Sequence, residues 1–287
     1  MSTLTVTVIQ SQLHWKDAGA NLQMFEEKIK SIGEKTEMVV LPEMFNTGFI
    51  STPQPLAETM DGPTVEWMKR IAAEHRIILT GSLIIKEDGK YFNRLIWMLP
   101  VGQYGHYDKR HLFAFASEHE EYTAGNKRLI TSVKGFRLNM QICYDLRFPV
   151  WASQQSFASP LMRKRRVSNF DAYKEIEHPE YDALVYVANW PERRNHAWKT
   201  LLQARAIENQ CYVIGVNRVG KDGNDINYSG DSMVIDPLGE VLYQKPDDED
   251  IFTVVLKKER VDEIRSQFPF WKDADNFMIL PDDAEPS

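Results

Sequence analysis

The sequence predicts an α/β fold in which two mixed β-sheets pack face to face between outer helices, a four-layer α-β-β-α sandwich. Two observations support this prediction. Short runs rich in Val, Ile, Thr and Tyr alternate with segments of helical periodicity, which is the pattern of α/β proteins. The strand-like runs also number about ten or more, and the helical segments are few. Since single sheets usually have about four to six strands, the excess indicates two packed sheets.

The first third of the chain reads as repeated β-α-β units. Its elements are a strand at 4–10, a helix with Leu22, Phe25, Ile29 and Ile32 on one face, a strand at 37–43, a helix opened by Pro63 and a strand at 76–86. Pro63 suits a first helical position because its fixed φ is already helical there. Asp88 and Gly89 predict a hairpin to the next strand, since both residues tolerate the positive φ of tight turns.

The remaining two thirds are richer in strands than in helices. The predicted strands are RLNMQICYD, YDALVYVAN, CYVIGVNRV, DSMVIDP, EVLYQ and IFTVVLK. Between the second and third of these runs, a helix is expected to direct Trp198, Leu201, Leu202 and Ile207 towards a core.

Length and composition favour a single domain over residues 1–287. A chain of 287 residues that is 43% hydrophobic can bury a sizeable core, and α/β domains of this size are common. The segment 152–178 breaks the strand rhythm and is interpreted as a surface insertion. The acidic, polar tail from about residue 281 is expected to be mobile.

Charge and cysteine content narrow the classes of partner. The formal net charge of -7 argues against nucleic acid or an anionic membrane as the partner and favours a small molecule. The sequence has no secretory signal pattern and no run of eighteen apolar residues, so a cytoplasmic location is expected. Only two cysteines, Cys143 and Cys211, are present, which excludes a disulfide framework.

Three reactive side chains end or closely follow apolar strands: Glu43, Lys109 and Cys143. Strand ends that share an edge gather distant residues into a crevice, where α/β proteins usually bind ligands. A thiol could attack an amide carbon, a carboxylate could move the protons, and an ammonium with the backbone N–H of Tyr144 could hold the oxyanion. Taken singly, each residue also has an ordinary structural interpretation, and for Cys143, as for Cys211, it is a small buried hydrophobe.

The order of several motifs resembles the nitrilase, or carbon–nitrogen hydrolase, superfamily, and within it the omega-amidase branch. The matching pieces are LPEMFNTGF (41–49), YDKRHLF (107–113), ICYDLRFP (142–149), VANWPERR (187–194), ARAIENQCYVIGVNRVG (204–220), YSGDSMVIDPLGE (228–240) and FPFWKDADNF (268–277). The resemblance implies a catalytic triad of Glu43, Lys109 and Cys143. It also implies the α-β-β-α sandwich, homodimers formed through outer helices, and no metal or organic cofactor.

The resemblance further implies auxiliary residues. The family often has a second glutamate seven residues before a glycine, which positions substrate or water; Glu118 before Gly125 has this spacing, although Glu120 lies nearby. An omega-amidase acts on dicarboxylate monoamides such as 2-oxoglutaramate, 2-oxosuccinamate and succinamate, so a cation should meet the far carboxylate. Arg147 is the first candidate. Trp190 and Arg193 are further substrate-binding candidates, with Arg194 as an alternative.

Some alternative functions would use the same triad, and others would not. A nitrilase or an N-carbamoyl amide hydrolase would use the same triad, and only the shape of the pocket separates them. A non-catalytic binding module would be expected to lack a triad member, whereas all three are present. An α/β-hydrolase would need Gly-x-Ser-x-Gly, which does not occur. The segment 152–178 is longer than the family's usual connection, so it could restrict the substrate.

Overall fold

The computed structural model describes residues 2–154 and 179–275, together with residues 277 and 279. Within these ranges the chain forms two mixed sheets. The six-stranded sheet has the order β13 (Asp250–Lys257), β1 (Thr3–Gln10), β2 (Met38–Val40), β3 (Ile78–Glu87), β4 (Lys90–Met98) and β5 (Tyr104–Asp108). The seven-stranded sheet has the order β10 (Val219–Lys221), β11 (Asn227–Ile235), β9 (Tyr212–Val216), β8 (Ala183–Val187), β7 (Phe136–Ile142) and β6 (Leu129–Val133), with β12 (Val241–Pro246) also paired to β11.

The helices lie outside these sheets or in the connections between strands. They are α1 (Ala18–Lys30), α2 (Pro63–His75), α3 (Glu118–Glu121), α4 (Pro149–Ala152), α5 (Asn195–Asn209) and α6 (Lys258–Gln267). Pro63 occupies the start of α2, as predicted. Asp88 and Gly89 have φ values of 49° and 75° and join β3 to β4 in an antiparallel hairpin. The local turn chemistry was therefore correctly inferred from the sequence.

Two buried clusters show how the layers pack. One joins the inner faces of the sheets, for example Val6 of β1 with Met140 of β7, and it extends to Trp198 of α5. The other lies between the six-stranded sheet and its helices, where Phe25 of α1 and Met68 of α2 pack. This arrangement confirms the predicted α-β-β-α sandwich of two mixed sheets. Strands of both sheets therefore end close to one another, where the two sheets face each other.

The prediction for Ile207 is wrong. Trp198 and Leu202 are fully buried, whereas Ile207 is 53% exposed. Each helical residue advances by about 100°, so Ile207 lies about half a turn from Trp198. Its side chain approaches Gly239 in the loop before β12 and does not point towards the sheet. The strand predicted at 37–43 is also shorter, since β2 ends at Val40 and the following residues form turns.

Most of the predicted insertion at 152–178, and the tail from about 281, lie outside the described residues. In the part of the chain that the structure does describe, no helix is long and apolar enough to span a bilayer.

Candidate active site

The three predicted catalytic side chains converge where strands of both sheets end. Glu43 lies in the turn after β2, Lys109 directly follows β5, and Cys143 directly follows β7. Glu43 is completely buried, Lys109 is 1% exposed and Cys143 is 8% exposed. Two polar groups and a thiol are thus held together with almost no contact with solvent, so their mutual interactions are strong.

The backbone around Lys109 is fixed on both sides. Its N–H donates to the Asn93 carbonyl of β4 at 3.0 Å, and its own carbonyl accepts from the Gly125 N–H at 2.9 Å. A Cβ at Gly125 would collide with the Asp108 carbonyl, so only glycine allows this close approach. The glycine identified by its spacing therefore fastens the strand end that carries Lys109.

Lys109 lies between two buried carboxylates. Its Nζ is 3.0 Å from Glu43 Oε1 and 2.9 Å from Glu118 Oε2. Burial by itself would lower the pKa of Lys109, but the charges of Glu118 and Glu43 outweigh it and raise that pKa well above its usual value. The lysine is therefore a permanent cation at neutral pH. Burial raises the pKa of Glu118. The charge of Glu43 also raises this pKa, and the charge of Lys109 lowers it.

Glu43 is oriented by donors from three different elements. Its Oε1 accepts from Asn93 Nδ2 at 2.8 Å as well as from Lys109, and its Oε2 accepts from the Asn189 N–H at 2.8 Å. Asn189 Nδ2 also donates to the Glu43 carbonyl at 2.5 Å. A carboxylate held by so many donors has one fixed orientation, as a base that moves protons at a set atom requires.

Cys143 begins a short 3-10 turn, Cys143–Arg147, in a conformation rare for a non-glycine residue. Its φ is 44°, and such a backbone costs about 1–3 kcal/mol, which surrounding contacts must offset. Burial is the main cause that raises the pKa of the Cys143 thiol, and the charge of the neighbouring Glu43 adds to it. Lys109 acts in the opposite direction. Cys143 is therefore a protonated thiol at rest, with Glu43 and Lys109 as its charged neighbours.

Asp145 secures the start of this turn. One carboxylate oxygen accepts from the Ile142 N–H at 3.1 Å and from the Tyr107 hydroxyl at 2.8 Å. The other oxygen accepts from the His111 N–H at 2.9 Å. Tyr107 in turn accepts from Trp151 Nε1 at 2.9 Å. The acid two residues after Cys143 therefore ties the turn to the loop that follows Lys109.

A pocket of about 250 Å³ opens above Cys143. Its walls are mainly aromatic and aliphatic side chains, with cations between them. The lining residues include Phe49, Lys109, Phe113, Phe115, Cys143, Tyr144, Arg147, Asn189, Trp190, Arg193, Arg194, Ile226 and Tyr228. All the predicted substrate-binding residues and the predicted oxyanion residue thus border one cavity, which also includes Arg194.

The three arginines of the pocket lie against aromatic rings. The guanidinium carbon of Arg147 is 4.9 Å from the Trp190 ring centroid, and that of Arg194 is 5.0 Å from Phe113. Arg193 is 5.8 Å from Phe115. Among the described residues, no carboxylate lies within ion-pair distance of any of the three, and no acid lines the pocket. Burial and the neighbouring Arg193 lower the pKa of Arg194. The pocket therefore favours an anionic ligand.

The two candidate auxiliary glutamates differ in position. Glu118 is completely buried, binds Lys109 and accepts from the Phe113 N–H at 2.6 Å. Glu120 is exposed and accepts from the Ser117 hydroxyl at 3.1 Å. The geometry thus favours Glu118. Within the described ranges, no group of three His, Cys, Asp or Glu side chains is arranged to hold a metal ion.

Sequence reasoning missed two asparagines of the site. Asn93 Nδ2 bridges Glu43 and Glu118, at 2.8 and 3.2 Å, and Asn189 holds Glu43. Asn189 stands in the motif VANWPERR, two residues after the end of the buried strand β8, and a polar residue at that place was an available signal. Asn93 lies within the apolar strand β4 and gave no comparable signal beyond being a polar residue at a buried position.

Comparison with known proteins extends the likeness over nearly the whole chain. The family described as carbon-nitrogen hydrolase matches residues 5–155 and 173–266. Omega-amidase YafV of Yersinia enterocolitica is 38% identical over 283 residues, 98% of this chain and 100% of that protein. The 2-oxoglutaramate amidase of Bacillus subtilis is 29% identical and covers 94% of this chain, with 96% of its own length matched. The crystal structure of XC1258 from Xanthomonas campestris, a CN-hydrolase superfamily protein with an arsenic adduct in its active site, has a TM-score of 0.88 and 40% identity, covering 98% of this chain and 100% of that one.

Proposed function

Since this chain belongs to the carbon–nitrogen hydrolase family, we propose that it is an omega-amidase that hydrolyses dicarboxylate monoamides to dicarboxylates and ammonia. Candidate substrates are 2-oxoglutaramate, 2-oxosuccinamate and succinamate. The names of the relatives from Yersinia enterocolitica and Bacillus subtilis support this substrate class. The observation that carries the proposal is the pocket above Cys143, in which three arginines have no described carboxylate partner.

The charge of the pocket supports a particular orientation of the substrate. The amide carbon would lie at Cys143, near Lys109, and the far carboxylate would lie among Arg147, Arg193 and Arg194. A carboxylate bound to a guanidinium forms a charge-assisted hydrogen bond, about twice as strong as a neutral one. Glutamine carries an ammonium beside its far carboxylate, so that end has no net charge and these arginines would attract it less. The pocket therefore favours a monoamide without an amino group.

The first half of the reaction forms an acyl-enzyme. The sulfur of Cys143 attacks the amide carbon while Glu43 takes the thiol proton, and Lys109 and the Tyr144 N–H stabilise the oxyanion of the tetrahedral intermediate. Glu43 then transfers the proton to the leaving nitrogen. The carbon–nitrogen bond breaks, ammonia departs and a thioester remains on Cys143.

The second half restores the enzyme. A water molecule attacks the thioester carbon while Glu43 takes one of its protons. The carbon–sulfur bond then breaks, Glu43 returns that proton to the Cys143 sulfur, and the carboxylic acid product loses its own proton to solvent. Glu118 supports both halves by holding Lys109, since its oxygens bind that ammonium and the Phe113 N–H and it does not line the pocket. Its position therefore favours a role in orienting Lys109 over direct contact with water.

Ammonia release from purified protein tests the proposal. The panel contains 2-oxoglutaramate, succinamate, glutamine, a carbamoyl amino acid and an aliphatic nitrile. We expect the two monoamides to have by far the highest kcat/KM. A preference for the nitrile or the carbamoyl compound would assign the site to a nitrilase or an N-carbamoyl amide hydrolase. Undiminished turnover by Cys143→Ala, with Cys211→Ala as the matched control, would contradict the mechanism.

Three further features are proposed on the basis of the sequence. We propose that residues 1–287 form one domain, that the protein is a cytoplasmic homodimer, and that catalysis needs no added cofactor. Analytical ultracentrifugation of the purified protein measures the oligomeric state. Activity after exhaustive dialysis against a chelator measures the requirement for a metal. A loss of turnover that added metal restores would contradict the proposal that catalysis needs no added cofactor.

A further inference from the structure

A buried arginine on α5 reaches the far end of the turn that carries Cys143. Arg205 is 3% exposed, and its Nη2 donates to the Leu146 carbonyl at 2.7 Å. Leu146 is the fourth residue of the Cys143–Arg147 turn and is itself completely buried. A hydrogen bond from a charged donor is stronger than a neutral one, and burial excludes water that would compete for it. Arg205 therefore restrains the turn firmly.

The surroundings of Arg205 leave this contact as its main buried anchor. Its Nη1 binds Glu208 Oε1 at 2.8 Å, but the Glu208 side chain is 43% exposed. Its Nε has no hydrogen-bond partner among the described residues. Water that reaches the Glu208 carboxylate screens this pair and weakens it. The buried guanidinium is thus held in place chiefly by the carbonyl of the turn, and it holds that carbonyl in return.

The turn is fixed at two points, by an acceptor near its start and by a donor near its end. Near its start, the Asp145 carboxylate accepts from the Ile142 N–H at 3.1 Å. Near its end, Arg205 donates to a carbonyl. Between these points lie the strained Cys143, with φ of 44°, and Tyr144, whose N–H is assigned to the oxyanion. Arg147 follows Leu146 directly, so the same contact also sets where the side chain of Arg147 enters the pocket.

We propose that Arg205 is a positioning residue, which holds the Cys143–Arg147 turn so that the thiol faces Glu43 and Arg147 faces the pocket. This inference rests on the proposed catalytic role of Cys143. Without the Arg205 contact, the turn relaxes from its strained conformation, and the reactivity of the thiol and the binding of an anionic substrate weaken together. A displacement of about 1 Å in such a site can cost roughly 100-fold in rate.

Arg265 supplies a matched control. It is another buried arginine on an outer helix, 8% exposed, and it donates to the carbonyls of Gln210 and Tyr181 at 3.0 and 2.8 Å. It makes no described contact with the Cys143–Arg147 turn. Substituting either arginine removes a buried guanidinium from the fold, but only Arg205 is expected to change the chemistry of the thiol.

The experiment compares Arg205→Met and Arg205→Lys with Arg265→Met and Arg265→Lys. The measurements are the rate of Cys143 alkylation by iodoacetamide, kcat and KM for a monoamide, and unfolding in urea. Cys211 is completely buried, whereas Cys143 is 8% exposed and borders the pocket, so the label reports Cys143. We expect Arg205→Met to slow alkylation roughly 10- to 100-fold and Arg205→Lys to recover part of the rate. The Arg265 variants should be alkylated at the wild-type rate, even where they unfold more easily.

Alkylation needs no substrate, so its outcome is independent of which amide the enzyme hydrolyses. If the wild-type protein releases no ammonia from any monoamide, the proposed function fails while the alkylation series still tests Arg205. A wild-type alkylation rate in folded Arg205→Met would overturn the inference. An equal loss of reactivity in the Arg205 and Arg265 variants would overturn it as well, and the two lysine variants supply this comparison if Arg205→Met does not fold.

Discussion

Replacing Glu118 by glutamine removes one of the two negative charges beside Lys109 while keeping the size of the side chain. The Lys109 ammonium is 2.9 Å from Glu118 Oε2 and 3.0 Å from Glu43 Oε1. At an effective dielectric constant of about 20, a pair at this distance is worth roughly 5–6 kcal/mol. The variant therefore weakens the restraint on Lys109, although Glu43 still keeps the lysine charged.

Part of this loss is offset by relief of repulsion. Glu43 and Glu118 both accept from Asn93 Nδ2, at 2.8 and 3.2 Å, so these two oxygens are at most about 6 Å apart. Two like charges at that distance repel by about 3 kcal/mol at the same dielectric constant. The net loss is then about 2 kcal/mol. This loss belongs to the resting enzyme and should appear in the free energy of unfolding. Because Lys109 is assigned to an oxyanion that exists only during the reaction, a lysine that leaves its position should also lower kcat, by up to roughly 100-fold.

Ammonia release from a monoamide by Glu118→Gln, with urea unfolding in parallel, measures both effects. Glu120→Gln is the matched control, since Glu120 lies in the same helix α3 but is exposed. We expect its kcat to stay within about twofold of wild type, as for most surface substitutions. An undiminished kcat in Glu118→Gln, or an equal decrease in both variants, would refute the electrostatic role assigned to Glu118.

Three further predictions concern binding, packing and pH. Arg147→Ala should raise KM for succinamate far more than KM for an uncharged short amide; equal effects would make Arg147 structural. Gly125→Ala should destabilise the fold by about 1–3 kcal/mol and lower kcat, because its Cβ would collide with the backbone before Lys109. Gly33→Ala is the control and should keep wild-type kcat, since a Cβ there meets no atom within 4 Å. A wild-type kcat for Gly125→Ala would contradict this prediction. Hydrogen bonds from Arg70 and Lys30 lower the pKa of Glu26 to about 2 from 4.5. The contribution of Glu26 to stability is therefore present above pH 4.5 and is lost towards pH 2. Glu26→Gln should flatten the fall in unfolding free energy over that range, and an unchanged slope would contradict this prediction.

The fold was largely predictable because its local signals agree with the tertiary structure. The Asp88–Gly89 dipeptide specifies a tight turn regardless of its surroundings, and Pro63 specifies a helix start in the same way. Ile207 was mispredicted because an apolar residue near a helix end can pack on a neighbouring loop, and only the direction of the helix relative to the sheet decides this. That direction is a property of the tertiary structure.

The candidate site was predictable only in part. Glu43, Lys109 and Cys143 were identified from motifs, and their strand-end positions made convergence physically reasonable. Asn189, in contrast, meets Glu43 across 146 residues of sequence, and Asn93 bridges two glutamates from within a strand. Such contacts depend on how the two sheets are placed against each other, which no local pattern specifies.

The state of Cys143 during turnover tests the central claim most directly. Acid quenching of the reaction with a monoamide, followed by mass spectrometry of the peptide that contains Cys143, detects an acyl group on the sulfur. The account predicts that this peptide alone gains the mass of the acyl group, and that Cys143→Ala neither gains it nor releases ammonia. An acyl group on another residue, or ammonia release by Cys143→Ala at the wild-type rate, would contradict the account.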